Sequence, residues 1–351
     1  MADSSQHQVD PGATRLVVVA GSGRSGTSTV AGVLKYLGLQ IPTPEVEPNA
    51  TNPRGFFEPR WVVDFQARLL GRAAVRISDA RPQAFERCRT VGLEPDVQKQ
   101  LQAWLGPVLE AAPETVIKDP RGTWFLPMWT QAASAFGVTP SYLTMLRHPA
   151  EVVGSKSKYY GKTLGGDVSV RTQQTSRAAG WLNVTLFAEA ATRGAPRAFV
   201  RYDDLLADWR TAMLKAAHDL DLSFQDAIPE AGAAEVDGFI DPSLHRVTST
   251  WDDIDVPDAV ISLCDDVWTL VNSLVEDPSS LAEREAKLDE ARGRYVALYA
   301  DAEAIAHSSV DAPKQRNRPL GRTPDKPGPA AASFSQRASG KARRVWHALR
   351  A

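Results

Sequence analysis

A chain of 351 residues, 43% of them hydrophobic and 23% charged, can bury a sizeable core and falls within the range of one large α/β domain with extensions. The net charge of −2 is unevenly spread: residues 311–351 hold ten Lys or Arg against two Asp, so this tail carries +8 and the body −10, a balance that disfavours nucleic-acid binding by the body. Two cysteines, Cys88 and Cys264, sit in no CxxC pair and near no His, which argues against a metal site and for a reducing compartment.

The N-terminal stretch MADSSQHQVDPGATR has no apolar leader, so residues 1–13 read as a flexible start and the expected location is the cytoplasm. A single domain is expected over 14–306. Its first strand, at 15–20, is a β-branched run that breaks into a glycine-rich turn and opens a helix over 27–37: LVVVAGSGRSGTS, residues 16–28. Backbone N–H groups in such a turn, with the positive end of the helix dipole behind them, make an anion site, and glycines let the backbone approach the anion. The same letters satisfy three readings. Gly21, Gly23 and Gly26 spell G-x-G-x-x-G, but the acidic residue a dinucleotide site needs about twenty positions on would be Glu45 or Glu47, inside the proline-rich IPTPEVEPN. Gly21 to Gly26 followed by Thr27 and Ser28 is a Walker A loop whose lysine has become Thr. A third reading keeps the cation and moves it to Arg24, inside the loop.

Helical patterns follow at 60–71 and 95–111, and between the loop and the first of them lies NPRGFFEPRW, with Glu58 beside Phe56 and Phe57. The next strand, 115–118, ends in TVIKDPR, with Lys118 at its tip and Asp119 and Arg121 behind it as a candidate structural ion pair. A strand at 140–146 leads through a turn at Pro149 into a helix over 150–160: YLTMLRHPAEVVGSKSKYY, residues 142–160. Arg147 at the strand end, with Ser155, Lys156 and Lys158 on the helix, makes a second anion site. Two such sites on one sheet call for a ligand with two separated phosphates. Further elements are a helix at 175–192, a strand at 198–202 and a helix at 204–220; strands alternating with helices mean a doubly wound, mostly parallel sheet with ligands at the carboxyl ends of its strands.

Past FIDPSLHR, where His245 and Arg246 are weak candidates to reach the ligand and read first as an ordinary loop, the charge-alternating run from Ser280 is a long packing helix. From 307 the chain is rich in Pro, Ser, Ala, Gly and Arg, a composition that reads as disordered. It ends in the short basic amphipathic GKARRVWHALRA, which suits peripheral contact with an anionic membrane surface or an acidic partner, and equally a frayed cationic end.

At these motifs the chain resembles the sulfotransferase family that uses 3′-phosphoadenosine 5′-phosphosulfate as donor, over about residues 14–250. GSGRSGTS is similar to the family's 5′-phosphosulfate loop, which puts Gly23, Arg24, Ser25, Gly26, Thr27 and Ser28 on the donor's 5′ end. LRHPAEVVGS is similar to its 3′-phosphate motif, with Arg147 and Ser155 in register and His148 where Asp is usual. RYDDLLADW resembles the segment that brings an aromatic near the adenine, here Tyr202. The resemblance implies a P-loop-like α/β fold, sulfonate transfer without a metal, and a hydroxyl-bearing acceptor such as a sugar or glycolipid. It also implies charge stabilisation by Lys118 and Arg24. With no histidine where the family places its base, a carboxylate substitutes: Glu58 first, with Glu45, Glu47 and Asp119 as rivals and a helix-starting role as its bland alternative. The competing functional classes are a P-loop kinase or triphosphatase and a nucleotide-binding adaptor without catalysis.

Overall fold

The computed structural model describes residues 14–50, 52–160, 169–241, 248–276 and 280–310, with backbone only at 159, 160 and 308–310. The expectations for residues 1–13, for His245 and Arg246 and for the basic tail from 311 fall outside the described residues. Residues to Ile305 cluster as one compact unit; those from Ala306 form a second, described only to Val310.

Four strands, β1 (Arg15–Ala20), β2 (Glu114–Lys118), β3 (Ser141–Leu146) and β4 (Arg197–Arg201), form one sheet in the order β2-β1-β3-β4, and every pairing is parallel. The register sets Val18 of β1 beside Ile117 of β2 and Tyr142 of β3. All six β1 residues are buried, as the unbroken run VVV requires of a central parallel strand covered on both faces. Its alternate side chains feed separate cores. Val17 and Val19 pack with α1 (Thr27–Tyr36), α9 (Trp209–Asp219) and α10 (Glu230–Phe239). Leu16, Val18 and Ala20 pack with α2 (Arg60–Ala73), α3 (Ala84–Gly92), α4 (Pro95–Ala111) and α5 (Leu126–Ser134), the last entered through a 3-10 turn over Pro120–Phe125. A third core joins α6 (Pro149–Tyr160), α7 (Val170–Ala191), α11 (Asp258–Glu276) and α12 (Leu281–Val310).

The expected doubly wound parallel sheet is present, with differences of detail. β4 ends at Arg201, so Tyr202 opens the short α8 (Tyr202–Ala207). The single helix expected over 204–220 is two, because Asp208 leaves helical geometry and caps α9 by accepting from the Thr211 N–H. α7 begins at 170, where Ser169 caps it by accepting from the Thr172 N–H. α12 is the expected long helix and runs to Val310, past the start expected for the tail; it seats Leu288, Ala291 and Tyr295 at helical spacing in the third core. Both cysteines are free core thiols, and burial pushes Cys88 up to about 12. Among the described residues no helix is long and apolar enough to cross a membrane.

Candidate functional site

The sheet order reverses its winding between β1 and β3, and in open α/β sheets the crevice beyond the strand tips at such a point is where ligands sit. Here β1 delivers the glycine loop. Gly21 (φ 122°), Arg24 (φ 77°) and Gly26 (φ 91°) all occupy the left-handed region. A Cβ on Gly21 would stand 2.8 Å from the Met145 carbonyl oxygen of β3, and one on Gly26 would stand 2.3 Å from the Tyr202 ring, so the loop lies flat against its neighbours at two points. Thr123 clamps the loop's start, its Oγ1 taking the Gly21 N–H at 3.1 Å. α1 begins with no side-chain cap on Gly26, and the Ser25 hydroxyl, 1% exposed, has no hydrogen-bond partner among the described residues. A buried hydroxyl without a partner, inside a turn held by left-handed glycines, fits a loop made to wrap an oxyanion.

From β3, Arg147 reaches across the crevice. It donates to the Arg24 carbonyl at 3.2 Å and to Glu151 at 2.7 Å, and its guanidinium lies 4.8 Å from the centroid of the Tyr202 ring. Arg24 in turn donates to Ser155 Oγ on α6 at 3.1 Å. The loop cation, the strand-tip guanidinium and the helix hydroxyl therefore form one connected group. Tyr202 is a buried ring packed against Gly26 and Arg147, and in this position it supports both. His148 caps the start of α6, its Nδ1 accepting from the Ala150 N–H at 3.3 Å, and its ring packs against Trp251 and Trp268. Burial holds its pKa below the usual value.

At the β2 tip the Lys118 ammonium is 2% exposed and donates to Ser28 Oγ at 2.8 Å, to the Phe56 carbonyl at 3.2 Å and to Glu58 Oε1 at 2.6 Å. Glu58 makes no cap bond to α2, whose N-cap is Pro59. A left-handed Phe57 (φ 56°) turns the chain so that the carbonyl before it and the carboxylate after it meet one ammonium. Its ring is wedged edge-on against Phe239 at 5.5 Å and close to Gly32 of α1. A buried ion pair is a poor source of net stability, because desolvation of both charges offsets their attraction.

The rival carboxylates lie elsewhere. Glu45 pairs with Lys35 on the surface and Glu47 is exposed. Asp119 accepts from the Arg121 N–H at the start of the 3-10 turn and pairs with the Arg121 side chain at 2.8 Å, the structural ion pair anticipated from the sequence. Burial, aided by the Glu58 charge, holds its carboxyl well above the usual carboxylate range.

The wall opposite the loop carries no motif in the sequence. Residues 74–82 form a tight turn around Asp79, which takes the Arg76 and Arg81 N–H groups at 3.0 Å each and the Arg81 guanidinium. Trp124 donates to the Ile77 carbonyl, Asn183 to those of Asp79 and Arg81, and Tyr295 to that of Ala80. This turn offers Ser78 Oγ to Lys156 Nζ at 2.6 Å, and Ser22 Oγ of the loop faces the same nitrogen at 3.1 Å. Among the described residues no group of three or more His, Cys, Asp or Glu is arranged to hold a metal ion.

No family model matches the chain. No curated protein matches it either. Among solved structures it is similar to a sulfotransferase domain from the curacin biosynthetic pathway, at 16% identity and TM-score 0.44, covering 74% of this chain and 98% of that one. It is also similar to a sulfotransferase domain from the Synechococcus PCC 7002 olefin synthase, at 16% identity and TM-score 0.38, covering 81% and 96%. Likeness at this level leaves function to be argued from the chain's own residues.

Proposed function

We propose that the chain is a sulfotransferase that moves a sulfonate from 3′-phosphoadenosine 5′-phosphosulfate to a hydroxyl acceptor of sugar or glycolipid type. The observation that carries this reading is the Lys118 ammonium bound at once to Ser28 of the anion loop and to the Glu58 carboxylate, so that a cation and a proton acceptor meet beside the loop. Gly23, Arg24, Ser25, Gly26, Thr27 and Ser28 take the donor's 5′ end. Arg147 and Ser155 take the 3′-phosphate, and Tyr202 braces both groups. In transfer the acceptor oxygen forms a bond to sulfur as the bond from sulfur to the bridging phosphate oxygen breaks. Glu58 takes the acceptor's proton, and Lys118 and Arg24 offset the charge that grows on the leaving phosphate, which departs as adenosine 3′,5′-bisphosphate. As in phosphoryl transfer, positioning and fixed charge do most of the work.

The test is mass spectrometry of products formed from the donor and a panel of hydroxyl acceptors by wild type and Glu58→Gln. The amide keeps an oxygen facing Lys118, so donor binding should persist while turnover falls about 10²–10⁴-fold, the range for a lost general base. Near-normal turnover in the variant would remove Glu58 from the role. Thermal stabilisation by ATP with magnesium, and none by the bisphosphate, would replace the donor assignment with a P-loop nucleotidase or kinase. Stabilisation by the bisphosphate without transfer to any acceptor would favour a nucleotide-binding adaptor.

A further inference from the structure

Two buried cations are left unused by that reading. Lys156 follows Ser155 on α6, but its side chain enters the space between the loop and the Asp79 turn, where Nζ donates to Ser22 Oγ at 3.1 Å and Ser78 Oγ at 2.6 Å. Arg177, from α7, is held by Ser157 Oγ at 2.6 Å. The two side chains are 7% and 8% exposed, and among the described residues neither is paired with a carboxylate. Burial, then the Arg177 and Arg24 charges, push the Lys156 amine down to about 7. Placing a lysine among hydroxyls, facing two guanidiniums and with no counter-charge among the described residues, is unfavourable for an empty protein interior and favourable for the receipt of an anion. The surroundings are built to stay in place: the Asp79 turn is fixed by Trp124, Asn183 and Tyr295, and a Cβ on Gly180 of α7 would stand 3.2 Å from the Ser78 backbone, so the two walls meet directly.

We propose that Lys156 and Arg177, with the hydroxyls of Ser22 and Ser78, form a third oxyanion subsite that takes a sulfate-like or phosphate-like group. Such a group has two sources, the sulfonate of the donor and an anionic substituent on the acceptor. The inference rests on the donor reading in one respect, that the loop and Arg147 with Ser155 take the two phosphates.

The experiment is calorimetric titration of inorganic sulfate into the full chain saturated with adenosine 3′,5′-bisphosphate. Wild type should bind sulfate, and Lys156→Gln and Arg177→Gln should each weaken that binding at least tenfold while bisphosphate affinity stays within twofold. If the donor's sulfonate fills the subsite, both variants also lose affinity for the intact donor, and sulfate does not bind the donor-saturated protein. If an acceptor group fills it, donor affinity is unchanged and sulfate still binds the donor-saturated protein. Equal sulfate affinity in wild type and both variants, no sulfate binding by wild type, or a matching loss of bisphosphate affinity would overturn the subsite. Should wild type fail to bind the bisphosphate, the donor reading falls, and the same titration of nucleotide-free protein still reads Lys156 and Arg177. Cooperative melting qualifies each variant, and Arg177→Gln carries the test alone if Lys156→Gln does not fold.

Discussion

At the scale of single residues, two positions in the crevice make separable demands. Gly26 has both a left-handed backbone and a Tyr202 ring carbon 2.3 Å from where a Cβ would go. Gly26→Ala should therefore cost about 1–3 kcal/mol of strain and push the loop off Tyr202, lowering both the melting temperature and bisphosphate affinity; an unchanged melting curve would mean that the loop relaxes freely. Arg147→Ala should weaken bisphosphate binding by about 1.5–3 kcal/mol, the range for hydrogen bonds to charged groups. A ligand without the 3′-phosphate should bind almost as before, and equal losses for both ligands would take Arg147 away from that phosphate. Gly21, Arg24, Gly26, Lys118 and Arg147 could be picked out from the sequence because strand-tip position and residue type together identify them. Lys156 reads in the sequence as a member of the second anion site with Arg147 and Ser155, whereas its side chain turns to Ser22 and Ser78, which arrive from segments 134 and 78 residues away. The left-handed Phe57 had no local signal at all, since an aromatic residue there is held by tertiary contacts with Phe239 and Gly32 and not by its own preference.

At the scale of elements, the strands were legible because unbroken β-branched runs behind glycine or proline turns leave few alternatives, and β1 matches its expected span of 15–20. Four helices, α3, α5, α10 and α11, were not anticipated. α3, AFERCRTVG, is nine residues with only Ala84, Cys88 and Gly92 buried, too short a stripe to assert a period. α6 has a testable pH signature through Lys156. Its amine, near 10.5 when unfolded, falls to about 7 in the fold, facing Ser22, Ser78, Arg24 and Arg177. Between those values the unfolded chain holds a proton that the folded chain has released, so this residue makes stability rise with pH there, by at most about 1.4 kcal/mol per unit. Below 7 both states are protonated and the contribution is flat. Urea unfolding of wild type and Lys156→Met should show their free-energy difference climbing in favour of wild type from pH 7 to pH 10 and level from pH 5 to 6.5; parallel profiles would mean that the amine stays charged in the fold.

At the scale of the whole molecule, the site draws on both ends of the described chain. Tyr295 of α12 donates its hydroxyl to the carbonyls of Ala80 and Ala179, joining the last helix to the turn that carries Ser78 and to α7. Tyr295→Phe leaves those part-buried acceptors short of a donor and should cost about 0.5–1.5 kcal/mol, read in the denaturant midpoint. If Ser78 depends on that bond, the variant should also weaken sulfate binding while leaving the bisphosphate untouched, and unaltered stability would show that the turn holds its shape without α12. The same bond orders events during synthesis. The strands and loops that present Arg24, Lys118, Arg147 and Tyr202 are complete once residue 202 has left the ribosome, whereas the Tyr295 bond to the turn that carries Ser78 waits for residue 295. At about 5–20 residues per second that is a delay of several seconds, during which a nascent chain that can close its glycine loop still lacks the Tyr295 tie behind the Ser78 wall.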